Sequence, residues 1–188
     1  MPTTLNMGGF LRYPGNYKNL LFYKKTVVLY DMTAYFCGHW LDARRDRTVD
    51  QMVQAARSGK QNIAEGTSDG MTSTEMEMKL INVARSSLQE LLEDYEDYIR
   101  THSLSLWDKE HPRYQRLVDF CYHHHEVEQY NRYFDRWGEE EFCNTAITLI
   151  HQADRGMMGY MKKIEKNFMT NGGLREQMAS SRHHTRGY

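Results

Sequence analysis

From Phe142 to Phe168 the apolar residues follow one repeat. Phe142, Ala146, Leu149, Ile150, Ala153, Met157, Tyr160, Met161, Ile164 and Phe168 recur three and four residues apart. That spacing puts them on one stripe of an α-helix and scatters them over both faces of a strand. A long helix with a one-sided stripe is stabilised by packing rather than by propensity, so this segment requires partner helices with stripes of their own. The rest of the chain must be read for them, and little stands in their way. Only three prolines, Pro2, Pro14 and Pro112, occur in 188 residues, and proline is the residue that most reliably breaks a helix.

A first helical pattern covers 17–41. Leu21, Val28, Met32, Tyr35 and His39 share one face, Phe22, Leu29 and Phe36 form the neighbouring row, and Lys24 and Lys25 fall on a thin polar stripe. After a charged connection at 42–47, Thr48 reads as the N-cap of a second helix running to about Glu65, with Asp50 in its first turn and Gly66 as its stop. Gly59 is unusual in a helix interior, where it costs about 1 kcal/mol relative to alanine, and marks either a kink or a tight contact. The polar turn 67–74 offers two capping boxes, Thr72 with Glu75 and Thr74 with Glu77. A third helix then runs to about Thr101. Its outer side carries Glu90, Glu93, Asp94, Glu96 and Asp97, read as a solvated face or as a docking surface for a basic partner.

Residues 103–112 read as a linker, with Pro112 placed to open a fourth helix at 113–136. That segment is rich in aromatic residues and its period is less regular, which allows a break within it. Gly138 and the acidic residues Glu139, Glu140 and Glu141 restart the chain ahead of the last long helix. The sequence NGG at 171–173 stops that helix, a short helix follows at 174–180, and the remainder reads as a mobile tail. The predicted fold class is all-α: an antiparallel up-down four-helix bundle with an extra helical segment, about 103–138, inserted before the last long helix. Residues 1–16 read as a flexible segment, 17–170 as the bundle, and 171–188 as a partly disordered extension.

Charge and cysteine content narrow the function classes. The formal net charge is −1, which argues against a wholesale basic coat for nucleic acid and leaves room for local patches. Cys37, Cys121 and Cys143 are odd in number and widely spaced, arguing against a disulfide framework. No run approaches the roughly 18 to 20 apolar residues of a membrane span, and the N-terminus lacks a charged-then-apolar signal pattern. A cytoplasmic protein without membrane contact is the expectation.

Two motifs in the hairpin formed by the second and third helices carry a family resemblance. Residues 54–66 read QAARSGKQNIAEG and 84–91 read ARSSLQEL, after a capped start at TSTE, 72–75. The chain resembles the four-helix-bundle proteins encoded in intervening sequences of bacterial 23S rRNA genes, whose second helix ends in a motif like RAAxSIPxNIAEG and whose third carries AxGSxxEL. The length, and the ending ITLIHQAD…NGGLREQM, are similar to a longer subgroup called four helix bundle suffix domain proteins. Gln54 stands where the family has arginine, and Gly59 with Lys60 where it has Ile-Pro. The resemblance implies a homo-oligomer, a pentamer in this family. The same bundle class includes the accessory variability proteins of diversity-generating retroelements, which bind nucleic acid and partner with a reverse transcriptase.

Basic residues supply affinity for phosphates by displacing counterions, and here they form two clusters. Arg44, Arg45, Arg47, Arg57 and Lys60 lie around the start of the second helix; Lys162, Lys163, Lys166, Arg175 and Arg182, with Arg186, lie near the C-terminus. Asp42, Asp46 and Asp50 offset much of the first cluster. The motif polar residues Asn62, Glu65, Ser87 and Glu90 are placed to form a buried hydrogen-bond network across the hairpin, with Arg57 or Arg85 balancing a carboxylate. Cys121, His125 and His151 carry metal-ligating atoms, yet lack the paired spacing of a zinc site, and core or surface roles are the plainer reading. Neither a metal nor another cofactor is expected. GTSDG and NGG are turn signals, and nothing in the pattern supplies a nucleophile or a phosphate loop, so a non-enzymatic protein is expected. Two functions stand open: nucleic-acid binding, or protein binding through the acidic and aromatic surfaces.

Overall fold

A computed structural model describes residues 17–42, 44, 46–67 and 73–171. All of the regular structure in them is helical: a 3₁₀ turn at Tyr17–Asn19, then α1 (Leu21–Trp40), α2 (Thr48–Thr67), α3 (Thr74–Thr101), α4 (Tyr114–His123), α5 (Glu128–Asn131) and α6 (Glu139–Asn171). Residues 1–16, most of the turn before α3, and the extension beyond residue 171, including the short helix expected at 174–180, lie outside the described residues. No helix among the described residues is long and apolar enough to cross a membrane.

The four long helices share one core, because each carries one apolar stripe that only the others can cover. α1 packs on α2 and α6, and α3 packs on α2 and α6. α1 and α6 run in opposite senses: Phe22 at the start of α1 meets Tyr160, and Trp40 at its end meets Phe142. Phe36 occupies the middle of this core with no exposed surface. The rings of Trp40, Tyr95, Tyr98 and Phe142 surround it at centroid distances between 4.8 and 6.1 Å. Tyr95, also fully buried, keeps its hydroxyl satisfied by Thr33 at 3.0 Å, as a buried phenol must.

Several local expectations are corrected. Asp46, not Thr48, caps α2: its Oδ1 accepts the Thr48 N–H at 2.9 Å. The turn before α3 is closed by Ser73, whose Oγ accepts the Met76 N–H at 3.2 Å. The box based on Thr74 is therefore not used, and Thr72 lies outside the described residues. α2 continues through Gly66, which is no stop: a Cβ there would sit 3.0 Å from Leu80 Cβ, so the glycine brings α2 against α3. Gly59 does the same about two helical turns earlier, since a Cβ would lie 2.7 Å from Leu88 Cδ2. Of the alternatives for this residue, the tight contact holds.

Lys25 is the largest departure from periodicity. Read as part of a polar stripe, it is only 5 % exposed, because α4 lies over that side of α1. Its ammonium donates to the Cys121 carbonyl and sits 3.4 Å from His125 Nδ1. Burial pushes the Lys25 amine down to about 8, as expected for a cation removed from water with a carbonyl and an imidazole as its partners. Leu21 and His39, assigned to the apolar face, are instead exposed.

Residues 103–112 are pinned rather than loose. Glu140 accepts from the Ser105 N–H at 3.0 Å and the Trp107 indole N–H at 2.7 Å. Asn144 accepts the Trp107 N–H and donates to the Ser105 carbonyl. Those bonds hold the Glu140 carboxyl below its usual range. Tyr98 donates to Glu139, and Arg113 pairs with Glu141. The acidic start of α6 thus complements its own helix dipole and clamps three preceding segments at once. The break expected within 113–136 falls between α4 and α5.

Candidate nucleic-acid interface

Arg44 and Arg47 of the first basic cluster and the lysines of the second end up at opposite ends of the helices, with Arg57 and Lys60 midway along α2. Lys162, Lys163 and Lys166 follow Tyr160, beside the start of α1, whereas Arg44 and Arg47 follow the end of α1. From Phe142 to Tyr160, α6 rises about 27 Å, so one ligand site does not include both Arg44 with Arg47 and the α6 lysines. Arg45, Arg175 and Arg182 lie outside the described residues.

In the first cluster, Arg44 and Arg47 at the end and Arg57 midway along α2 are exposed, and Lys60 is half-buried. The Lys60 ammonium stands over the Tyr30 ring, 4.0 Å from its centroid, an attraction that competes with phosphate for the cation. The surroundings of this end are acidic. An open groove of about 950 Å³ between α2 and α3 is lined by Asp50, Glu90, Glu93, Asp94 and Asp97. The Asp94 carboxyl is pushed up to about 6, first by burial and then by the like charges of Asp97, Glu90, Glu93 and Asp46. The like charges that add to this shift also repel phosphate, which weighs against this cluster as the interface.

That shift has a consequence for stability. A carboxyl whose folded pKa exceeds its unfolded value penalises the folded state as pH rises through that interval, and the penalty is complete above about 6. Asp94 is partly solvated, so screening leaves an effect of about 1 kcal/mol. Asp94→Asn is therefore expected to stabilise the protein by ~1 kcal/mol at pH 7 and by nothing near pH 4, in urea melts at the two values. An equal gain at both would show that charge is not the cause.

At the second end, Lys162, Lys163 and Lys166 are all exposed, and no ion pair engages them among the described residues. Arg155, which sequence reading did not single out, is exposed on the same side as Lys162 and Lys166, seven and eleven residues before them. The helical period alone would have found it. Met158 and Gly159 lie between these cations and are exposed as well. Asp154, the nearest acid N-terminal to the group, is already engaged by Arg85 at 2.6 Å. Glu165 is the acidic residue that remains among the three lysines.

The polar motif of the hairpin is structural where it is buried. Ser58 and Ser87 bridge α2 and α3 at 2.9 Å, and Asn62 donates to the Ser58 carbonyl and Oγ. Ser58 had not been picked out, although it stands one helical turn before Asn62. Glu65 and Glu90 are exposed and take no part in the Ser58–Ser87–Asn62 group. Arg85 balances Asp154 rather than a motif carboxylate.

Cys121 is buried, His151 is exposed, and the Lys25 ammonium stands 3.4 Å from His125 Nδ1. Among the described residues no group of three or more His, Cys, Asp or Glu side chains is placed to share a metal ion. Burial pushes the Cys37 and Cys121 thiols up to about 12, so both stay protonated and weakly nucleophilic at neutral pH. In comparisons with known proteins, no family model, characterised protein or solved structure matches this chain.

Proposed function

We propose that this chain is a non-enzymatic, oligomeric helical-bundle protein of the cytoplasm that binds nucleic acid through α6. In this reading the four long helices form an antiparallel up-down bundle with 103–138 inserted before the last of them. The resemblance to the intervening-sequence proteins of 23S rRNA genes supports the bundle, a homo-oligomer of five subunits and a link to a nucleic-acid enzyme. The observation that carries the nucleic-acid reading is the exposure of Lys162, Lys163 and Lys166 without ion pairs among the described residues. Unpaired cations can neutralise phosphates and so release the counterions condensed on the nucleic acid, whereas a paired cation must first give up its partner. A ring of subunits would repeat the patch and raise its avidity.

The test is fluorescence anisotropy with a short random-sequence DNA duplex over a range of salt. Affinity is expected to fall steeply with salt, and the triple change Lys162→Ala, Lys163→Ala, Lys166→Ala to flatten the log–log slope by about 2 to 3. Binding that ignores salt, or that the triple change leaves intact, removes the proposal. The acidic groove between α2 and α3 favours a second reading, a scaffold that holds a basic segment of a partner protein. An oligoarginine peptide bound by the wild type and lost on Asp94→Asn with Asp97→Asn would support that reading instead.

A further inference from the structure

α6 contains two interior glycines, and only one of them has an internal reason. A Cβ on Gly156 would stand 2.9 Å from Phe22 Cβ, so this glycine allows α1 to cross closely. Around Gly159, apart from its chain neighbours and the backbone of its own helix, no atom of the described residues lies within 4 Å of the corresponding position. A glycine in a helix interior weakens it, and here no packing offsets that loss. The remaining use of a missing Cβ is the close approach of something from outside.

The neighbours of Gly159 state what that object carries. Arg155, Lys162 and Lys163 are four residues before and three and four after it, the positions that flank a residue on a helix surface, and all three are exposed. Gly38 provides the contrast. It is equally open, but the residues four before and four after it are Ala34 and Asp42. Openness is shared by the two sites, and the ring of cations belongs to Gly159 alone.

We infer that Gly159 is where a phosphodiester backbone comes closest to α6, its phosphate held among Arg155, Lys162 and Lys163. The inference rests on the nucleic-acid reading above. Without a Cβ, the phosphate seats deeper between the three side chains, which shortens its contacts with their charged ends and strengthens them in proportion.

The test separates binding from stability. Gly159→Ala introduces no clash, restores helix propensity, and is expected to raise the melting temperature while weakening binding of a short DNA duplex about fivefold. Gly38→Ala is expected to raise the melting temperature likewise and to leave affinity unchanged. Duplex binding by Gly159→Ala equal to or tighter than the wild type overturns the inference, and if the triple lysine variant still loses binding, the wider nucleic-acid reading survives. Equal losses in Gly159→Ala and Gly38→Ala also overturn it, since they would track helix stiffness rather than the site. A wild-type chain with no affinity for the duplex overturns both.

Discussion

Phe36→Ala is expected to destabilise the protein by about 4 kcal/mol, read as a shift in the urea midpoint at constant slope. The ring is fully buried, and four aromatic neighbours contributed by α1, α3 and α6 close around it. Truncation removes the transfer free energy of the ring and leaves a cavity, because those neighbours are themselves locked. Tyr95 is tied to Thr33, and Tyr98 to Glu139. Edge and tilted contacts between the rings add to the loss. Domains of ordinary stability hold about 5–15 kcal/mol in reserve, so the variant folds at low temperature and melts much earlier. A loss below about 1 kcal/mol would mean that the site collapses freely, which would contradict the packing described here.

Gly59→Leu is the second large effect, expected to cost about 3 kcal/mol through overpacking. Even the first added atom would overlap Leu88 Cδ2, and the Leu88 side chain is only 1 % exposed, with little room to move. The two helices must separate, which also lengthens the Ser58–Ser87 bond on the neighbouring turn. Leu88→Ala vacates the contested space. The double variant is therefore expected to be more stable than the sum of the single losses requires, a coupling measured directly by a double-mutant cycle. Strict additivity would show that the two positions do not compete for one volume.

These two sites also show what was legible in advance. The period of Phe142 to Ile164 and the limits of α3 could be read from the chain, because a stripe at 3.6-residue spacing has one interpretation and terminal residues such as Thr101 are followed by turn chemistry. Gly59 was recognisable as anomalous, but its cause was not, since a glycine reads the same at a kink and at a contact. Caps were less secure. Asp46 and Thr48, or Ser73 and Thr74, are all competent N-cap residues, and only backbone geometry decides between neighbours.

The candidate interface divides in the same way. The three lysines of α6 could be listed from the sequence, and Arg155 by extending the period, but that no ion pair engages them among the described residues depends on the fold, which gives Asp154 to Arg85. Lys25 carries the clearest lesson: as a linear pattern it belongs to a polar stripe, and only the placement of α4 turns it into a buried ammonium with a lowered pKa. Glu140, likewise, is one of three acids in a row until the fold brings Ser105 and Trp107 to it.

By itself, then, the sequence determined the helical class and the stripes that compel long helices to share a core, because periodicity and propensity are local properties that survive any arrangement of the segments. The tertiary structure alone decided which polar groups are buried, which cations have no ion pair among the described residues, and that Arg44 and Arg47 stand at the opposite end from the α6 lysines. Those outcomes are set by residues far apart in the chain, through desolvation and through charges whose effect depends on distance in space.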